Sequence, residues 1–471
     1  MPKEIQHIIT LGDSLSDRGT MDHRKLFGFI PMAGLSGLKG HSRLGRFGNG
    51  LVWDDDLAIE LYGQYTEEYE KKRHDALAKK GITIKHQDIN TPEEMINENV
   101  IGNYREVQFC NQDLMRNYNE GGLTSYDWSG NISADISVDA KSRILANLAQ
   151  KRALLLKDDE ARGIEQKHKD KSLIIEWSGA NDLITVHSNI YHPDGLEKAK
   201  EQAQSAIEAR IQNVQALYEQ GYRNFMLFNL PDLSLTPRFQ NPELLKAYVP
   251  DVNHHEQIRK NAHQVCEYFN QELSSQIQLL KESYPDISLD LFDVNTIFCD
   301  AYQHPETYKL SPALKTHGVS LDFPEIKHQV NATNNDGYMF WDDVHPTSTV
   351  HEVLADKFQL KASENYHFTA PHESLLHIFK EGYGQQLEDD KGACFGFFRH
   401  SRINYLDPHL KLEDVFYHGL KDKGYRTRSI LVSLGWLTHQ GDLAATNHPK
   451  LVEAYEHVIS PAPSTTAAYA V

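Results

Sequence analysis

Residues 5–19 read Ile-Gln-His-Ile-Ile-Thr-Leu-Gly-Asp-Ser-Leu-Ser-Asp-Arg-Gly, and the rest of the chain is interpreted around them. Their apolar run at 8–11 is typical of a buried parallel strand. Gly12 permits a sharp turn, and Ser14 then stands where the strand gives way to a helix whose N-terminus would offer N–H groups to an anion. An ordinary strand–turn–helix connection with a Ser or Asp N-cap has the same local sequence. Distant residues must therefore decide whether Ser14 is a nucleophile.

Composition narrows the class of protein. The chain has 471 residues and a formal net charge of −18, so its surface repels nucleic acid, which we do not expect as a partner. It contains no run of eighteen apolar residues, so we expect no transmembrane helix. The four cysteines Cys110, Cys266, Cys299 and Cys394 form no C-x-x-C pair, which argues against a zinc site and a disulfide-rich scaffold. We expect neither a metal nor a cofactor.

Apolar runs alternate with longer helical patterns, which predicts βαβ units and a parallel sheet. The predicted strands after the first one are residues 172–177, 224–230 and 287–293. Ligands bind at the carboxyl ends of such strands. Ser14, Gly130, Asn181 and Asp232 each follow a predicted strand, since residues 121–131 are expected to begin as one, and so these residues should share one rim.

The chain is expected to form two domains. Residues 1–362 make the α/β domain, with a charged, mostly helical insertion at about 63–120 that serves as a solvated cap or as a lid. Residues 363–460 form a separate, mainly helical module whose apolar runs make either its own core or a docking surface. The small and polar residues 461–471 are expected to be a disordered tail.

Acyl transfer by serine needs a nucleophile, a base, a group that orients the base, and donors for the developing oxyanion. Ser14 is the candidate nucleophile and His345 the candidate base. Asp342, three residues before His345, can accept a hydrogen bond from the other imidazole nitrogen. The Ser14 and Gly130 N–H groups and the Asn181 side chain are the candidate oxyanion donors.

With these motifs the chain resembles the GDSL lipase/esterase family, whose fold is the SGNH hydrolase fold. Five segments carry the resemblance, and they are Gly12-Asp13-Ser14-Leu15-Ser16-Asp17, Gly45-Arg46-Phe47-Gly48-Asn49-Gly50, Gly179-Ala180-Asn181-Asp182, Leu230-Pro231-Asp232-Leu233-Ser234-Leu235-Thr236-Pro237 and Phe340-Trp341-Asp342-Asp343-Val344-His345-Pro346-Thr347. The resemblance spans about residues 5–360. It implies three α/β/α layers around a parallel sheet of about five strands, followed by the helical module.

The second block of the family is the weak point of the resemblance. It usually reads like N-Y-A-x-G-G-A, and we align it with residues 125–131, where Gly130 keeps the oxyanion role. Asp127 and Trp128 then replace small residues. Gly45 is an alternative for the same donor.

The residues of these motifs are similar to those of the branch of the family that contains bacterial phospholipases A, lysophospholipases and glycerophospholipid:cholesterol acyltransferases. The resemblance implies hydrolysis of fatty acyl esters of phospholipids or lysophospholipids, or transfer of the acyl group to an alcohol such as a sterol. It also implies transient contact with a membrane surface. A carbohydrate O-acetylesterase is the alternative within the fold.

An alternative of another class is an effector whose C-terminal module docks a host protein or membrane. Residues 1–14 lack the basic and long apolar segments of a signal peptide. We therefore expect the chain in the bacterial cytoplasm, or in a host cell after export by a signal-independent system.

Overall fold

The computed structural model describes residues 2–36, 38, 44–79, 97–109, 112–130, 143–187, 189–249, 251–308, 310, 338–371, 379, 383, 387, 404–405, 410–421, 424–444 and 449–459. The chain forms two units, Met1–Pro371 and His372–Val471. The strands of the described residues all lie in the first unit. They are β1 (Lys3–Ile5), β2 (His7–Gly12), β3 (Lys25–Leu26), β4 (Ile30–Pro31), β5 (Glu106–Phe109), β6 (Gln112–Asn117), β7 (Ser172–Trp177), β8 (Asn224–Phe228), β9 (Ser288–Phe292) and β10 (Tyr366–Phe368).

The main sheet has six strands in the order β5-β6-β2-β7-β8-β9. Five of them run parallel, and the edge strand β5 is antiparallel to β6. The chain leaves β2 for β6 on one side and returns to β7 on the other side. This reversal makes the carboxyl end of β2 the switch point where ligands bind in open α/β sheets. Ser14 follows that end by two residues.

Both faces of the sheet are covered. Ile8 and Ile9 of β2 are both buried, but they belong to different apolar cores, because successive side chains of a strand point to opposite faces. Residues of β7 alternate in the same way: Ile175 faces the core of Ile8, and Ile174 faces the core of Ile9. Strands buried on both faces read as continuous apolar runs, as residues 173–175 do. The predicted three-layer α/β/α fold is confirmed.

The helices of the described residues alternate with the parallel strands. They are α1 (Thr20–His23), α2 (Met32–Leu35), α3 (Trp53–Lys79), α4 (Leu148–Arg162), α5 (Gln166–Asp170), α6 (Ala180–Ile184), α7 (Leu196–Glu219), α8 (Pro237–Gln240), α9 (Pro242–Leu245), α10 (His255–Ser283), α11 (Val294–Gln303), α12 (Ser348–Ala362), α13 (Leu412–Leu420), α14 (Tyr425–Ser433) and α15 (Pro449–Ile459). A π-helical turn covers Asn97–Ile101, and 3-10 turns cover Trp128–Gly130, Asn189–Tyr191, Leu233–Leu235 and Pro305–Tyr308.

Local sequence explains where several helices begin and which face they bury. The Asn147 side chain accepts from the Gln150 N–H at the start of α4, and the Gln150 side chain accepts from the Asn147 N–H, which makes a capping box. Helices α3, α11 and α12 place apolar residues in the core of Ile8, whereas α4, α7 and α10 place theirs in the core of Ile9. These helices are therefore the two outer layers.

The predicted helical insertion at 63–120 is wrong in its second half. Glu106–Phe109 and Gln112–Asn117 are strands of the main sheet, and Thr10 of β2 lies opposite Asn117 of β6. The sequence Gln-Asp-Leu-Met-Arg-Asn does not show the apolar pattern of a buried strand. Its polar side chains can be buried because they form hydrogen bonds and ion pairs with other residues. Arg116 donates to Asp159 (2.7 Å) and to Tyr222 (3.2 Å). Residues 121–130, expected to begin as a strand, form turns instead, and residues 80–96 and 131–142 lie outside the description.

The first unit extends past the predicted boundary at residue 362. Tyr366–Phe368 pairs in parallel with Lys3–Ile5, and Thr369 Oγ1 donates to Glu4 Oε1 (3.0 Å). These contacts tie residues 366–369 to the N-terminal strand, so the unit closes at Pro371.

The described part of the second unit is helical, with α13, α14 and α15. Val415, Phe416 and Leu431 are fully buried in an apolar core of its own. The apolar residues of this unit therefore make a core, which is one of the two uses expected for them. The predicted tail, residues 461–471, lies outside the described residues. Across the described parts of the chain, no helix is both long enough and apolar enough to span a membrane.

Candidate active site

The turn after β2 presents Ser14. Asp13 N–H donates to Trp177 O (3.2 Å) of the neighbouring strand, and Ser16 N–H donates to Asp13 O (3.1 Å). A Cβ atom on Gly12 would lie 2.8 Å from Trp177 O, so only glycine fits where the two strand ends meet. The nucleophile turn is thus fixed against the central strand β7.

The loop before α12 presents His345. Trp341 N–H donates to His345 O (2.8 Å) and Thr347 N–H donates to Met339 O (3.0 Å), which closes a narrow loop around Asp342. Asp342 Oδ1 accepts from the N–H groups of Val344 (2.8 Å) and His345 (2.6 Å). This carboxylate is therefore held by the same loop that carries the imidazole.

The structure brings Ser14, His345 and Asp342 together. Ser14 Oγ lies 2.8 Å from His345 Nε2, and His345 Nδ1 lies 2.6 Å from Asp342 Oδ2. Burial opposes protonation of His345, but the Asp342 carboxylate outweighs it and holds the pKa of His345 above its ordinary value. Burial likewise opposes ionisation of Asp342, but the imidazole outweighs it and lowers the pKa of Asp342. The arrangement suits an imidazole that accepts the serine proton and is stabilised as imidazolium.

The raised pKa of His345 sets the expected pH dependence. Only the neutral imidazole can accept the Ser14 proton, so activity should be lost as the pH falls through the raised pKa of His345. We expect the acid limb of kcat/KM for a soluble ester to have its midpoint above about 6.5, the unperturbed histidine value. A pH–rate profile from pH 4 to 9 measures this limb, and a midpoint below 6 would contradict the assigned pairing.

Unpaired donors surround the nucleophile. The Ser14 N–H and the Asn181 side-chain amide have no hydrogen-bond acceptor within the described chain, while Asn181 Oδ1 accepts from Thr185 Oγ1 (2.6 Å). Both residues line one cavity of about 110 Å³ together with His345. Leu15, Ile184, Leu233 and Phe298 give that cavity apolar walls. Two of the three predicted oxyanion donors are therefore in place beside the nucleophile.

The structure does not bring Gly130 to this cavity. Gly130 is exposed at the end of the 3-10 turn Trp128–Gly130 and is not among the residues that line the cavity. The turn is held instead by Asp182, which accepts from the N–H of Ser125 (2.8 Å) and from Trp128 Nε1 (2.8 Å). The alternative Gly45 has φ +74° and packs against Asp22.

A segment just after β6 runs beside the nucleophile turn. Tyr118 N–H donates to Thr10 O (2.9 Å) and Glu120 N–H donates to Gly12 O (2.9 Å), so the chain is paired with the end of β2 up to Glu120, and Gly121 and Gly122 follow as a turn. Gly121 N–H donates to Asp17 (2.7 Å), whereas Gly122 N–H has no acceptor among the described residues. Gly122 has φ +79°, which favours glycine.

The sequence did carry a signal for this segment. Asn117-Tyr118-Asn119-Glu120-Gly121-Gly122-Leu123 matches the pattern N-Y-A-x-G-G-A at Asn117, Tyr118, Gly121 and Gly122. The alignment with residues 125–131 missed it because the segment was assigned to a helical insertion. Once β6 is known, its carboxyl end must lie next to that of β2.

Asp343 anchors the back of the base loop, a role not predicted from sequence. Arg238 donates to both of its carboxylate oxygens (2.8 and 3.1 Å), and Tyr248 OH donates to one of them (2.8 Å). The guanidinium of Arg238 also lies 4.0 Å from the ring centre of Tyr248. Such a bidentate pair fixes orientation as well as position. It joins α8 to the loop that carries the candidate base.

A buried ion cluster ties the nucleophile segment to the segment Gly45–Gly50. Asp55 at the start of α3 accepts from Arg18 Nε (2.7 Å) and from Arg46 Nε and Nη2 (3.0 and 2.8 Å). Burial opposes the ionisation of Asp55, but the guanidinium groups of Arg18 and Arg46 outweigh it and lower its pKa to about 2. Asp55 therefore neutralises two buried cations.

Replacing Asp55 by asparagine should destabilise the first unit by about 3–5 kcal/mol, because it removes the buried carboxylate that the two guanidinium groups share. The neighbouring Asp56→Asn is the matched control. Burial raises the pKa of Asp56 to about 8, so this side chain is largely protonated at pH 7 and an amide resembles it. We expect Asp56→Asn to change the free energy of unfolding by less than about 1 kcal/mol. Urea denaturation measures both, and equal losses would contradict the ion-cluster account.

The segment Gly45–Gly50 also supports the imidazole. The Phe47 ring centre lies 5.0 Å from that of His345, and Asn49 Oδ1 accepts from the Ser348 N–H (2.8 Å) at the start of α12. Phe340 and Trp341 are buried and pack the base loop into apolar clusters. His351 is fully buried, and its burial lowers its pKa to about 3, so it stays neutral.

One cluster of described residues has the spacing of metal ligands. His7, Asp113 and His168 offer nitrogen and oxygen atoms within 4.8 Å of one another. His7 and Asp113 lie at the amino ends of β2 and β6, and His168 lies on α5 just before β7, at the edge opposite Ser14. Asp113 Oδ1 lies 2.9 Å from His168 Nε2, and its other oxygen lies 3.0 Å from Arg116 Nε. The carboxylate therefore already faces the guanidinium group of Arg116, and the cluster takes no part in the site of Ser14.

Comparison with known proteins extends these observations. Residues 8–358 match the family model described as GDSL-like Lipase/Acylhydrolase. The chain is 23% identical over 401 residues to a phosphatidylcholine-sterol acyltransferase of Aeromonas hydrophila, covering 77% of this chain and 92% of that protein. It is 22% identical over 360 residues to a GDSL esterase/lipase of Arabidopsis thaliana, covering 74% and 86%. It is 24% identical over 212 residues to the secreted effector protein SseJ of Salmonella typhimurium, covering 44% of each.

Proposed function

The chain belongs to the GDSL-like lipase/acylhydrolase family, and from that premise we propose that it is a serine ester hydrolase acting on fatty acyl esters of phospholipids and lysophospholipids. The observation that carries the proposal is the unbroken hydrogen-bonded chain from Ser14 Oγ through His345 to Asp342. A buried serine, a paired imidazole and a carboxylate that fixes the tautomer are the parts that acyl transfer requires.

The proposed reaction has two steps. Ser14 Oγ attacks the ester carbonyl while His345 Nε2 takes its proton, and the alcohol leaves with that proton, which gives an acyl-enzyme. Water then attacks the acyl carbonyl, His345 again moves the proton, and the fatty acid leaves. An alcohol such as a sterol in place of water would yield a new ester. Asp342 remains ionised throughout and stabilises the imidazolium.

We assign the oxyanion to the Ser14 N–H and the Asn181 side-chain amide, and we propose the Gly122 N–H in place of Gly130. Gly122, like Gly130, is not among the residues that line the cavity, and the support for it is its unpaired N–H, the match of residues 117–123 to the second block, and the bond from Glu120 N–H to Gly12 O two residues earlier. Donors that are already oriented and unpaired need no reorganisation as charge develops on the carbonyl oxygen.

Two observations support a lipid as the acyl donor. The relative from Aeromonas is called a phosphatidylcholine-sterol acyltransferase, and the match covers 92% of its length. The cavity beside Ser14 has apolar side chains on its walls, including Ile184, Leu233 and Phe298, which suit an acyl group.

The size of the cavity favours a second candidate. Its volume is about 110 Å³, whereas a cavity of about 150 Å³ holds a molecule the size of benzene. A short acyl group fits this space without rearrangement, as in a carbohydrate O-acetylesterase. A fatty acyl chain would have to extend beyond the cavity.

A substrate panel separates the two candidates. Wild-type protein and Ser14→Ala are compared on lysophosphatidylcholine, diacyl phosphatidylcholine with and without cholesterol, and an acetylated sugar. Release of fatty acid by the wild type alone supports the proposal, and cholesteryl ester would reveal acyl transfer. Activity confined to acetyl esters would establish the second candidate, and equal inactivity of both proteins on every ester would overturn the assignment as an ester hydrolase.

We further propose that the protein acts in a host cell after export from the bacterium, with the second unit contacting a host protein or membrane. The support is the similarity to a secreted effector of Salmonella typhimurium. Translocation of a reporter fused to the full chain, compared with the chain ending at residue 371, tests this proposal. Retention of both fusions in the bacterium would contradict it.

A further inference from the structure

A short hairpin carries two exposed phenylalanines. Strand β3 (Lys25–Leu26) pairs antiparallel with β4 (Ile30–Pro31), with Leu26 opposite Ile30, and Phe29 N–H donates to Leu26 O (3.3 Å) within the three-residue loop that joins them. Phe27 and Phe29 are 78% and 71% exposed, the two highest values among the large apolar residues that are exposed in the first unit. With Ile30 and Pro31, also exposed, they make a continuous apolar tip.

The backbone of the tip is strained. Phe27 has φ +54° and Gly28 has φ +81°, the signs that a type I′ turn requires. Glycine and asparagine normally occupy such positions, because the Cβ of a bulky residue crowds the backbone there. In the described chain, the non-glycine residues with positive φ are Phe27 and Leu44, and both are large, apolar and exposed. Folding alone gives no reason to place an aromatic ring at this position.

The hairpin stands on the cluster that packs against the catalytic loop. Met21 precedes it and Met32 follows it, and both are buried in one apolar cluster with Phe47 and Trp341. The ring centres of Phe47 and Trp341 lie 5.0 and 6.3 Å from that of His345. A continuous set of contacts therefore links the base of the hairpin to the imidazole. The base of the hairpin is therefore anchored next to the loop that carries His345.

Charge indicates what the tip contacts. Lys25 lies exposed at the stem, whereas the neighbouring Arg24 is engaged by Glu120. An apolar tip with a cation behind it fits a lipid interface, since the rings enter the acyl region and the ammonium reaches the phosphate level. The net charge of −18 disfavours an anionic surface. A zwitterionic phospholipid surface satisfies both conditions.

We propose that the hairpin at residues 25–31 inserts Phe27 and Phe29 into a zwitterionic phospholipid surface and so places the cavity of Ser14 at the membrane. The proposal rests on the proposed function, because a lipid ester is presented at such a surface. The proposal also explains the strained turn, because the positive φ of Phe27 belongs to a turn that keeps its ring exposed to solvent.

The test measures binding and catalysis separately. Binding to phosphatidylcholine vesicles is measured by co-sedimentation in the Ser14→Ala background, where no lipid is consumed. The variants are Phe27→Gly, Phe29→Ser and their combination, with Leu279→Ala and Leu360→Ala as controls, since these two leucines are also exposed but lie on α10 and α12. Hydrolysis of soluble 4-nitrophenyl butyrate is measured with Ser14 restored.

Phe27→Gly removes the ring and the strain together, so its Tm should stay unchanged or rise, which separates lost binding from misfolding. We expect the double variant to bind vesicles at least about tenfold more weakly, given the free energy of burying a phenylalanine side chain. Its hydrolysis of the soluble ester should change less than about twofold, because the hairpin does not touch that substrate. The two leucine controls should bind like the parent.

Two outcomes would overturn the proposal. One is that the double variant binds vesicles as well as the parent does, or that the leucine controls lose as much binding as the double variant. The other is a wild-type protein that self-associates through the hairpin in the absence of lipid and does not bind vesicles. Failure of the proposed function gives a different result, since the wild type would then release no fatty acid from lipid, whatever its binding to vesicles. Stronger binding to phosphatidylserine vesicles than to phosphatidylcholine vesicles would contradict the zwitterionic preference.

Discussion

Replacing Ser14 by alanine is expected to lower kcat/KM for every ester substrate by about 10⁴- to 10⁶-fold, because no acyl-enzyme can form without the nucleophile. Folding should be unaffected, since Ser14 Oγ bonds only His345 Nε2 among the described residues. Steady-state hydrolysis of 4-nitrophenyl butyrate and of lysophosphatidylcholine measures the loss, and a thermal melt verifies the fold.

Ser16→Ala is the matched control for that substitution. Ser16 lies two residues further along the same turn and is also buried, but its hydroxyl accepts from Trp53 Nε1 (2.9 Å) and is not bonded to the imidazole. We expect a loss of activity below about tenfold and a loss of stability of about 1 kcal/mol. Comparable losses from both alanines would contradict the assignment of Ser14 as nucleophile.

Replacing Asp342 by asparagine is expected to lower kcat by about 10⁴-fold while the fold survives, because the amide neither fixes the productive tautomer of His345 nor stabilises its charged form. The same change removes the group that raises the pKa of His345, so the acid limb of the remaining activity should move to lower pH. The pH–rate profile of the variant measures both effects.

Asp343→Asn provides the contrast, since this adjacent carboxylate pairs with Arg238 and not with the imidazole. It should cost about 3–5 kcal/mol of stability, because Arg238 is left buried and unpaired. Its acid limb should move much less than that of Asp342→Asn. If the two variants shifted the limb equally, Asp342 could not be the group that orients His345.

The sequence predicts the central strands and most of the candidate catalytic residues correctly, because an apolar run marks each strand and a short motif marks each residue. Strands β2, β7, β8 and β9 are buried on both faces or nearly so, and their apolar runs predict them. Ser14, Asn181, Asp342 and His345 follow strand ends or sit in a short loop, so their motifs place them on one rim. The D-x-x-H spacing brings Asp342 and His345 together without any long-range assembly.

The prediction of secondary structure failed at strand β6, where polar residues paired with distant side chains replace the apolar pattern of a buried strand. Strand β6 contains Arg116, whose charge is neutralised by Asp159 on α4, so its sequence does not read as a strand. Missing β6 placed residues 106–117 in a helical insertion, and so the second block of the family was aligned with residues 125–131 rather than with residues 117–123, where we propose it.

Two features of the site could not be read from sequence at all. The pairing of Arg238 with Asp343 spans 105 residues, and that of Arg18 with Asp55 spans 37. Nothing in the local sequence says which of the many carboxylates a given arginine will meet. Only the packing of α3 and α8 against the loops decides it.

The most direct test of the central claim is covalent labelling by a long-chain alkyl fluorophosphonate, followed by peptide mass spectrometry. The account predicts one phosphonate per protein, attached to Ser14 Oγ, with activity lost in proportion to labelling and no labelling of Ser14→Ala. Labelling of a different residue that accounts for the inactivation, or full modification of Ser14 with activity retained, would contradict it.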